Sequence, residues 1–135
     1  MKRFFDTNIL VYAFLDIDKR DKAIAVLSEG GRISAQVLNE FTNVARKKRQ
    51  RTWSEIEAAI AAIRESFPDI VPLTDQTNAR ALPLARDHNV SFFYDALIVA
   101  SSLEAGCDTL LTEDLQDGRK FGGLTVVNPF IESGP

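Results

Sequence analysis

One cysteine and one histidine occur among the 135 residues, and their scarcity closes off several kinds of chemistry. A lone Cys107 cannot form an internal disulfide, which suits a reducing compartment. Cys107 and His88 together fall short of the nitrogen and sulfur donors of a zinc site. With no cation beside it in sequence, Cys107 reads as a small core residue at a helix–strand junction rather than a reactive thiol. His88, between Asp87 and Asn89, reads as a solvated or capping residue at a polar helix end. No apolar run approaches the length that spans a bilayer. Met1 to Phe5 imitates the start of a signal peptide, but Asp6 and Asn8 interrupt it and no small-residue cleavage site follows. The expectation is a cytoplasmic protein with no membrane attachment. A basic excess is missing too: 16 Lys and Arg stand against 19 Asp and Glu, a net charge of −3, so no global field advertises nucleic acid. Repeats, low-complexity tracts and linkers are absent. A composition 45% hydrophobic and 26% charged is that of an ordinary globular chain. The length fits one domain over residues 1–135.

What is present is an alternation of short apolar strands and amphipathic helices. Lys2 to Phe5 reads as a buried strand followed by a turn at Thr7-Asn8. Helices are expected from Ile9 to Leu15 and from about Lys19 to Ser28, and a brief strand or extended link at Arg32-Ile33-Ser34. From Gln36, the residues Val37, Leu38, Phe41, Val44 and Ala45 share one helical face. Ser54 and Glu57 have capping-box spacing ahead of the stripe Ile56, Ile60, Ile63 and Phe67. Pro68-Asp69 ends that helix, and Ile70 to Leu73 reads as another strand. Thr74 or Asp75 caps a helix that Pro83 should kink or restart. Asp95 to Ala105 reads as a central buried helix. Thr109 to Thr112 and Leu124 to Val127 complete the strands, with a polar loop between them. This order points to a three-layer α/β/α domain with a mainly parallel central sheet.

Four carboxylates stand beside or inside apolar stretches, where an acid loses hydration. Asp6 closes Arg3-Phe4-Phe5, and Asp114 follows Leu110-Leu111-Thr112-Glu113. Asp95 opens Ala96-Leu97-Ile98-Val99-Ala100, and Glu40 borders the apolar face of its helix. In parallel sheets, ligands gather at the carboxyl ends of strands, the edge where Asp6 and Asp114 fall. Asp95 at a helix start meets the favourable end of the dipole. Any one of these acids alone reads as a cap or turn residue. Four from distant parts of the chain point instead to a shared cation, and an all-oxygen donor set suits Mg²⁺ or Mn²⁺. Such a site serves phosphodiester cleavage, because divalent metals stabilise charge on phosphorus and lower the pKa of bound water.

Phe5-Asp6-Thr7-Asn8-Ile9-Leu10-Val11-Tyr12, Gln36-Val37-Leu38-Asn39-Glu40-Phe41, Tyr94-Asp95-Ala96-Leu97-Ile98-Val99-Ala100 and Leu110-Leu111-Thr112-Glu113-Asp114-Leu115-Gln116-Asp117-Gly118 follow one another in order, and Gly123 to Phe130 closes the chain. The set resembles the PIN-domain ribonucleases, most closely the toxin subunits of VapBC-type toxin–antitoxin pairs. The resemblance implies a PIN-like fold and a metal-dependent endoribonuclease acting on RNA. It further implies a homodimer inhibited by a small antitoxin protein. Carried over residue by residue, it makes Asp6, Asp95 and Asp114 metal ligands, and Glu40 a ligand or water-orienting acid. Asp117, in a loop that varies in the family, ranks behind them. Thr7 and Asn8 either hydrogen-bond the carboxylates or the phosphate, or simply make a turn.

Other readings remain. A PIN-like module without catalysis, binding RNA or protein, would show lost acids, and all four stand. An aspartyl-phosphate hydrolase would want a second acid two positions after Asp6, where Asn8 stands. A receiver domain would want paired acids beside the first strand. The run Arg46-Lys47-Lys48-Arg49-Gln50-Arg51 either grips RNA phosphates or complements a helix dipole in solvent. Trp53 either stacks a base or packs on the next helix. The Ile56, Ile60 and Ile63 stripe is either core or a partner-binding face.

Overall fold

The computed structural model describes residues 1–15 and 18–131. Strand β1 (Arg3–Phe5) leads into α1 (Thr7–Phe14), followed by α2 (Arg20–Ser28), α3 (Ala35–Lys47), α4 (Trp53–Ser66), α5 (Asp75–Asp87) and α6 (Phe93–Glu104). Strands β2 (Thr109–Leu111), β3 (Lys120–Phe121) and β4 (Leu124–Val127) follow. The sheet runs β1-β2-β4-β3. β2 pairs in parallel with both β1 and β4, while β3 lies antiparallel to β4. Parallel strands must be buried on both faces, and the composition of β1 and β2 meets that need: Phe4 and Leu110 are fully inaccessible and face each other in register. α1 packs on α2 and α3, α3 on α4, and α5 on α6. The expected three-layer α/β/α arrangement with a mainly parallel sheet is what forms.

Several boundaries differ from expectation. Thr7-Asn8 is no turn. The helix begins at Thr7 because the Asp6 side chain accepts the Thr7 N–H and caps α1 directly. The capping box is Thr52 with Glu55, one pair earlier than Ser54 with Glu57, because Trp53 already lies in the helix. Ile70 to Leu73 forms only a single parallel bridge, Val71 to Ser34. Pro68 and Pro72 flank it without N–H groups to donate, so no ladder can lengthen there. α5 runs unbroken through Pro83. Within the loop after β2, Gly122 at φ +60 turns the chain so that β3 folds back on β4.

The Arg32 bridge to Phe4 brings Gly31 against β1. A Cβ on Gly31 would stand 2.5 Å from Phe5 Cε2 and 2.9 Å from the Arg3 carbonyl oxygen, one a packed ring and the other backbone. Gly123 has nothing within 4 Å of the corresponding point. Gly31→Ala is therefore expected to destabilise the fold by about 1–3 kcal/mol, with Gly123→Ala close to neutral. Urea unfolding midpoints at constant m-value test this, and equal midpoints for the two variants would contradict it.

Candidate metal and active site

The site begins with how β1 ends. Asp6 is 4% exposed, and its two carboxylate oxygens have separate donors. One accepts the Thr7 N–H at 2.7 Å, and the other accepts the Thr112 hydroxyl at 2.7 Å. Thr112 comes directly after β2, the parallel neighbour of β1, and is itself fully buried. Its oxygen in turn accepts the Asp114 N–H at 3.0 Å. One hydroxyl thus ties together two acids from strands that meet in space and are far apart in sequence. No signal of ordinary strength marked Thr112, since threonine is common in strands; its place two residues before Asp114 is the only clue.

Asp95, in the first turn of α6, completes the group. One carboxylate oxygen each from Asp6, Asp95 and Asp114 lies within 4.8 Å of the others. Glu40 is outside this trio and beside it. Its Oε2 accepts the Thr7 hydroxyl at 3.2 Å, and its Oε1 accepts the Gln36 Nε2–H. The Gln36 amide also donates to the Tyr94 carbonyl at 3.1 Å, so α3 and the start of α6 are joined at the site. Asn8 lies at the edge of the cluster and lowers the Asp114 pKa, although neither its amide nitrogen nor its oxygen completes a hydrogen bond of ordinary geometry. Asp117 points elsewhere: its carboxylate accepts the Asn128 N–H at 2.8 Å and tethers the loop to the end of β4.

The electrostatics follow from burial. Desolvation pushes the Asp6 carboxyl up to about 7, with repulsion from Asp114 and Glu40 adding to it and the Thr112 and Thr7 donors opposing it. Desolvation also raises Asp95 to about 6, again helped by Asp114 and Glu40. Asp114 is raised by burial and by neighbouring Glu113, and held back by Asn8, Asp6 and Lys48. Three carboxylates that resist ionisation together, with converging hard oxygens, fit a divalent cation: its charge offsets both the burial and the mutual repulsion. Softer donors lie away from them. Cys107 is buried with its thiol pushed up by desolvation, and His88 caps α5 with its ring 4.9 Å from Phe121.

Two arginines of the basic run are committed locally. The Arg46 guanidinium lies 4.7 Å over the Trp53 ring and donates to the Arg51 carbonyl at 3.1 Å. Arg51 donates to the Leu15 carbonyl at 3.0 Å and lies 3.8 Å from Glu55. Trp53 is exposed, with Arg46 over its ring. Lys48 differs, lining a groove together with Glu40. On the far side of the cluster the Tyr12 hydroxyl donates to Glu113, which also pairs with Lys19 at 3.2 Å.

The raised Asp6 pKa has a consequence with a definite sign. The unfolded value is near 3.8 and the folded one about 7, so the metal-free fold binds more protons than the unfolded chain across that window. This contribution is fully present below about pH 4 and is lost as pH rises through about 7. In EDTA, the stability of Asp6→Asn relative to the parent is expected to rise from pH 4 to pH 8 by on the order of 2–4 kcal/mol. A difference independent of pH would contradict the assignment.

Among solved structures, the fold is similar to a chain of a toxin–antitoxin complex from Klebsiella pneumoniae, with a TM-score of 0.73 and 23% identity, over 96% of this chain and 98% of that one. It is also similar to VapBC2 from Rickettsia felis bound to a promoter DNA fragment (0.68, 16%, over 93% and 97%). A third likeness is to Mycobacterium tuberculosis VapC20, a sarcin–ricin-loop-cleaving toxin (0.66, 22%, over 81% and 87%). At these identities the likeness is one of fold. No curated protein matches the chain in sequence. The PIN domain family model, however, matches residues 3–118, and the chain belongs to the PIN-domain family.

Proposed function

We propose that this protein is a metal-dependent endoribonuclease and the toxin of a toxin–antitoxin pair. The observation that carries the reading is the convergence of Asp6, Asp95 and Asp114, three acids that resist ionisation together and so call for a cation. The solved structures of like fold include toxin–antitoxin complexes and a sarcin–ricin-loop-cleaving toxin, which supports both the substrate class and an antitoxin partner. Asp6, Asp95 and Asp114 would hold Mg²⁺ or Mn²⁺, which when bound supplies a Lewis acid beside the phosphate and lowers the pKa of water.

The chain's own residues do the rest. Thr112 fixes the rotation of the Asp6 carboxylate, so its outward lone pairs face the other two acids. Glu40, steadied by Thr7 and Gln36, orients the attacking water and takes its proton at a carboxylate oxygen. Asn8, its amide buried at the edge of the cluster, favours the ionised form of Asp114 and so helps ready that acid for a cation. The buried strand ends behind Asp6 keep bulk water out, so charge is stabilised in a medium of low polarity. A single domain over residues 1–135, a homodimer and a cytoplasmic place of action belong to the same proposal. Among the described residues no helix is long and apolar enough to cross a membrane.

Purified full-length protein is expected to cut single-stranded RNA with Mg²⁺ or Mn²⁺ and to lose that activity in EDTA. Asp95→Asn should lower the rate by more than the roughly 10–100-fold that loss of an outer partner costs. Thr112→Val, which keeps the shape and removes the hydroxyl, should fall within that smaller range. Cleavage that persists in EDTA or in Asp95→Asn would overturn the mechanism. Failure of the folded parent to cut RNA or bind Mn²⁺ would favour a PIN-like binding module without catalysis.

A further inference from the structure

Beyond Glu40 and Gln36, the groove beside the acids is not used by the mechanism above, and its chemistry is unlike that of a core defect. It holds about 560 Å³ and opens between α3 and the chain leading into α6. Glu40 lines it, so it is continuous with the catalytic cluster. Phe92 and Tyr94 stand on its rim, 59% and 54% exposed. Their rings are 5.5 Å apart and tilted by 44°, so they do not stack flat on one another and each keeps a face for a third ring. Asn39 and Asn43 line the other wall from successive turns of α3, one turn on from Gln36. Lys48 is the one cation in the lining.

Gln36 adds an observation independent of exposure. It is 3% exposed and lines the groove; its Nε2 is spent on Glu40 and Tyr94, yet its Oε1 has no hydrogen-bond partner. A buried acceptor of this kind is completed by a donor from water or from a ligand. A nucleobase answers all of these features at once: a flat face for the rings, edge N–H groups for Gln36, edge acceptors and donors for the asparagine amides, and a flanking phosphate for Lys48. An apolar protein segment would cover the rings, Val44 and Leu73 but leave the Gln36 acceptor and both asparagine amides to be desolvated without partners.

We propose that the groove lined by Gln36, Asn39, Asn43, Lys48, Phe92 and Tyr94 is a nucleotide subsite, which takes one unpaired base of the RNA adjacent to the phosphate that is cut. This rests on the ribonuclease reading and deepens it, since it makes the enzyme select single-stranded positions where a base can leave its stack. Phe92 and Tyr94 supply stacking, Gln36, Asn39 and Asn43 read the base edge, and Lys48 holds the neighbouring phosphate.

The test measures binding and cleavage separately. Binding is followed by fluorescence anisotropy with a labelled random-sequence single-stranded RNA and a hairpin duplex, using full-length Asp114→Asn protein in EDTA so that no metal-dependent cutting occurs. Single-stranded RNA should bind more tightly than the duplex. Adding Phe92→Ala and Tyr94→Ala should weaken that binding by about tenfold or more, whereas Tyr94→Phe should preserve it. Lys48→Gln should reduce the slope of log affinity against log salt by about one. In the cleaving parent, the Phe92→Ala and Tyr94→Ala pair should raise KM far more than it lowers kcat. Both side chains are exposed, and circular dichroism checks that the variants fold. A parent that cuts RNA while the aromatic variants bind and cut equally well would overturn the subsite and leave the nuclease intact. RNA binding that depends on the aromatics without any cleavage would keep the subsite and overturn the nuclease. Dissociation of a dimer by the aromatic variants, with RNA affinity unchanged, would make the groove a subunit interface and overturn the proposal.

Discussion

A carboxylate at the end of a buried strand is the constraint on which the rest of the site depends. Asp6 cannot be moved outward without unpairing β1 from β2, because its own N–H donates to the Leu111 carbonyl at 3.0 Å. It therefore stays buried, and two donors that it did not have to share with water hold it there. Its cap on α1 sets where that helix starts, and hence where Thr7 reaches for Glu40. Its bond to Thr112 sets where the chain leaves β2, and hence where Asp114 arrives. The geometry of two acids and a helix start follows from a single desolvated group whose oxygens are both directed.

The surroundings divide into a rigid side and a receptive side. Toward the sheet, the cluster is backed by Phe4, Phe5, Leu110 and Leu111, all buried. Toward α3 it is bordered by amides, an ammonium and two exposed rings, with a buried acceptor left unanswered. The same helix contributes to both: its apolar face carries Val37, Phe41 and Ala45 into the core, and Gln36 and Glu40 emerge along its border. A border position of this kind is where a polar side chain can be held firmly and still face a ligand.

The sequence made the strand ends and the acids legible because burial and charge conflict there in plain view. Asp6, Asp95 and Asp114 interrupt apolar text, and such interruptions are rare enough to notice. Glu40 was visible as an inward-leaning border residue, though not that Thr7 and Gln36 would hold it. Thr112 was hidden, because a threonine at a strand end has no unusual cost until its hydroxyl is seen between two carboxylates. The true capping box was hidden for the opposite reason: Thr52-x-x-Glu55 and Ser54-x-x-Glu57 have the same spacing, and only the tertiary path of the chain chooses between them. Nothing in the sequence sets Phe92 and Tyr94 apart from core aromatics, and fold topology leaves both facing outward. The basic run looks like one patch, and packing commits Arg46 and Arg51 to backbone carbonyls while Lys48 faces the groove.

The pairing of β1 with β2 joins residues separated by more than a hundred positions, and the Thr112 to Asp6 bond spans 106. Contacts of such sequence separation close late, since the intervening chain must be gathered first. Before Thr112 and Asp114 are in place, the chain has only two of the three converging acids, and Asp6 keeps the Thr7 N–H but lacks the Thr112 hydroxyl. The three-acid centre is therefore complete only once β2 lies beside β1, and no stretch of chain that stops short of Asp114 can assemble it.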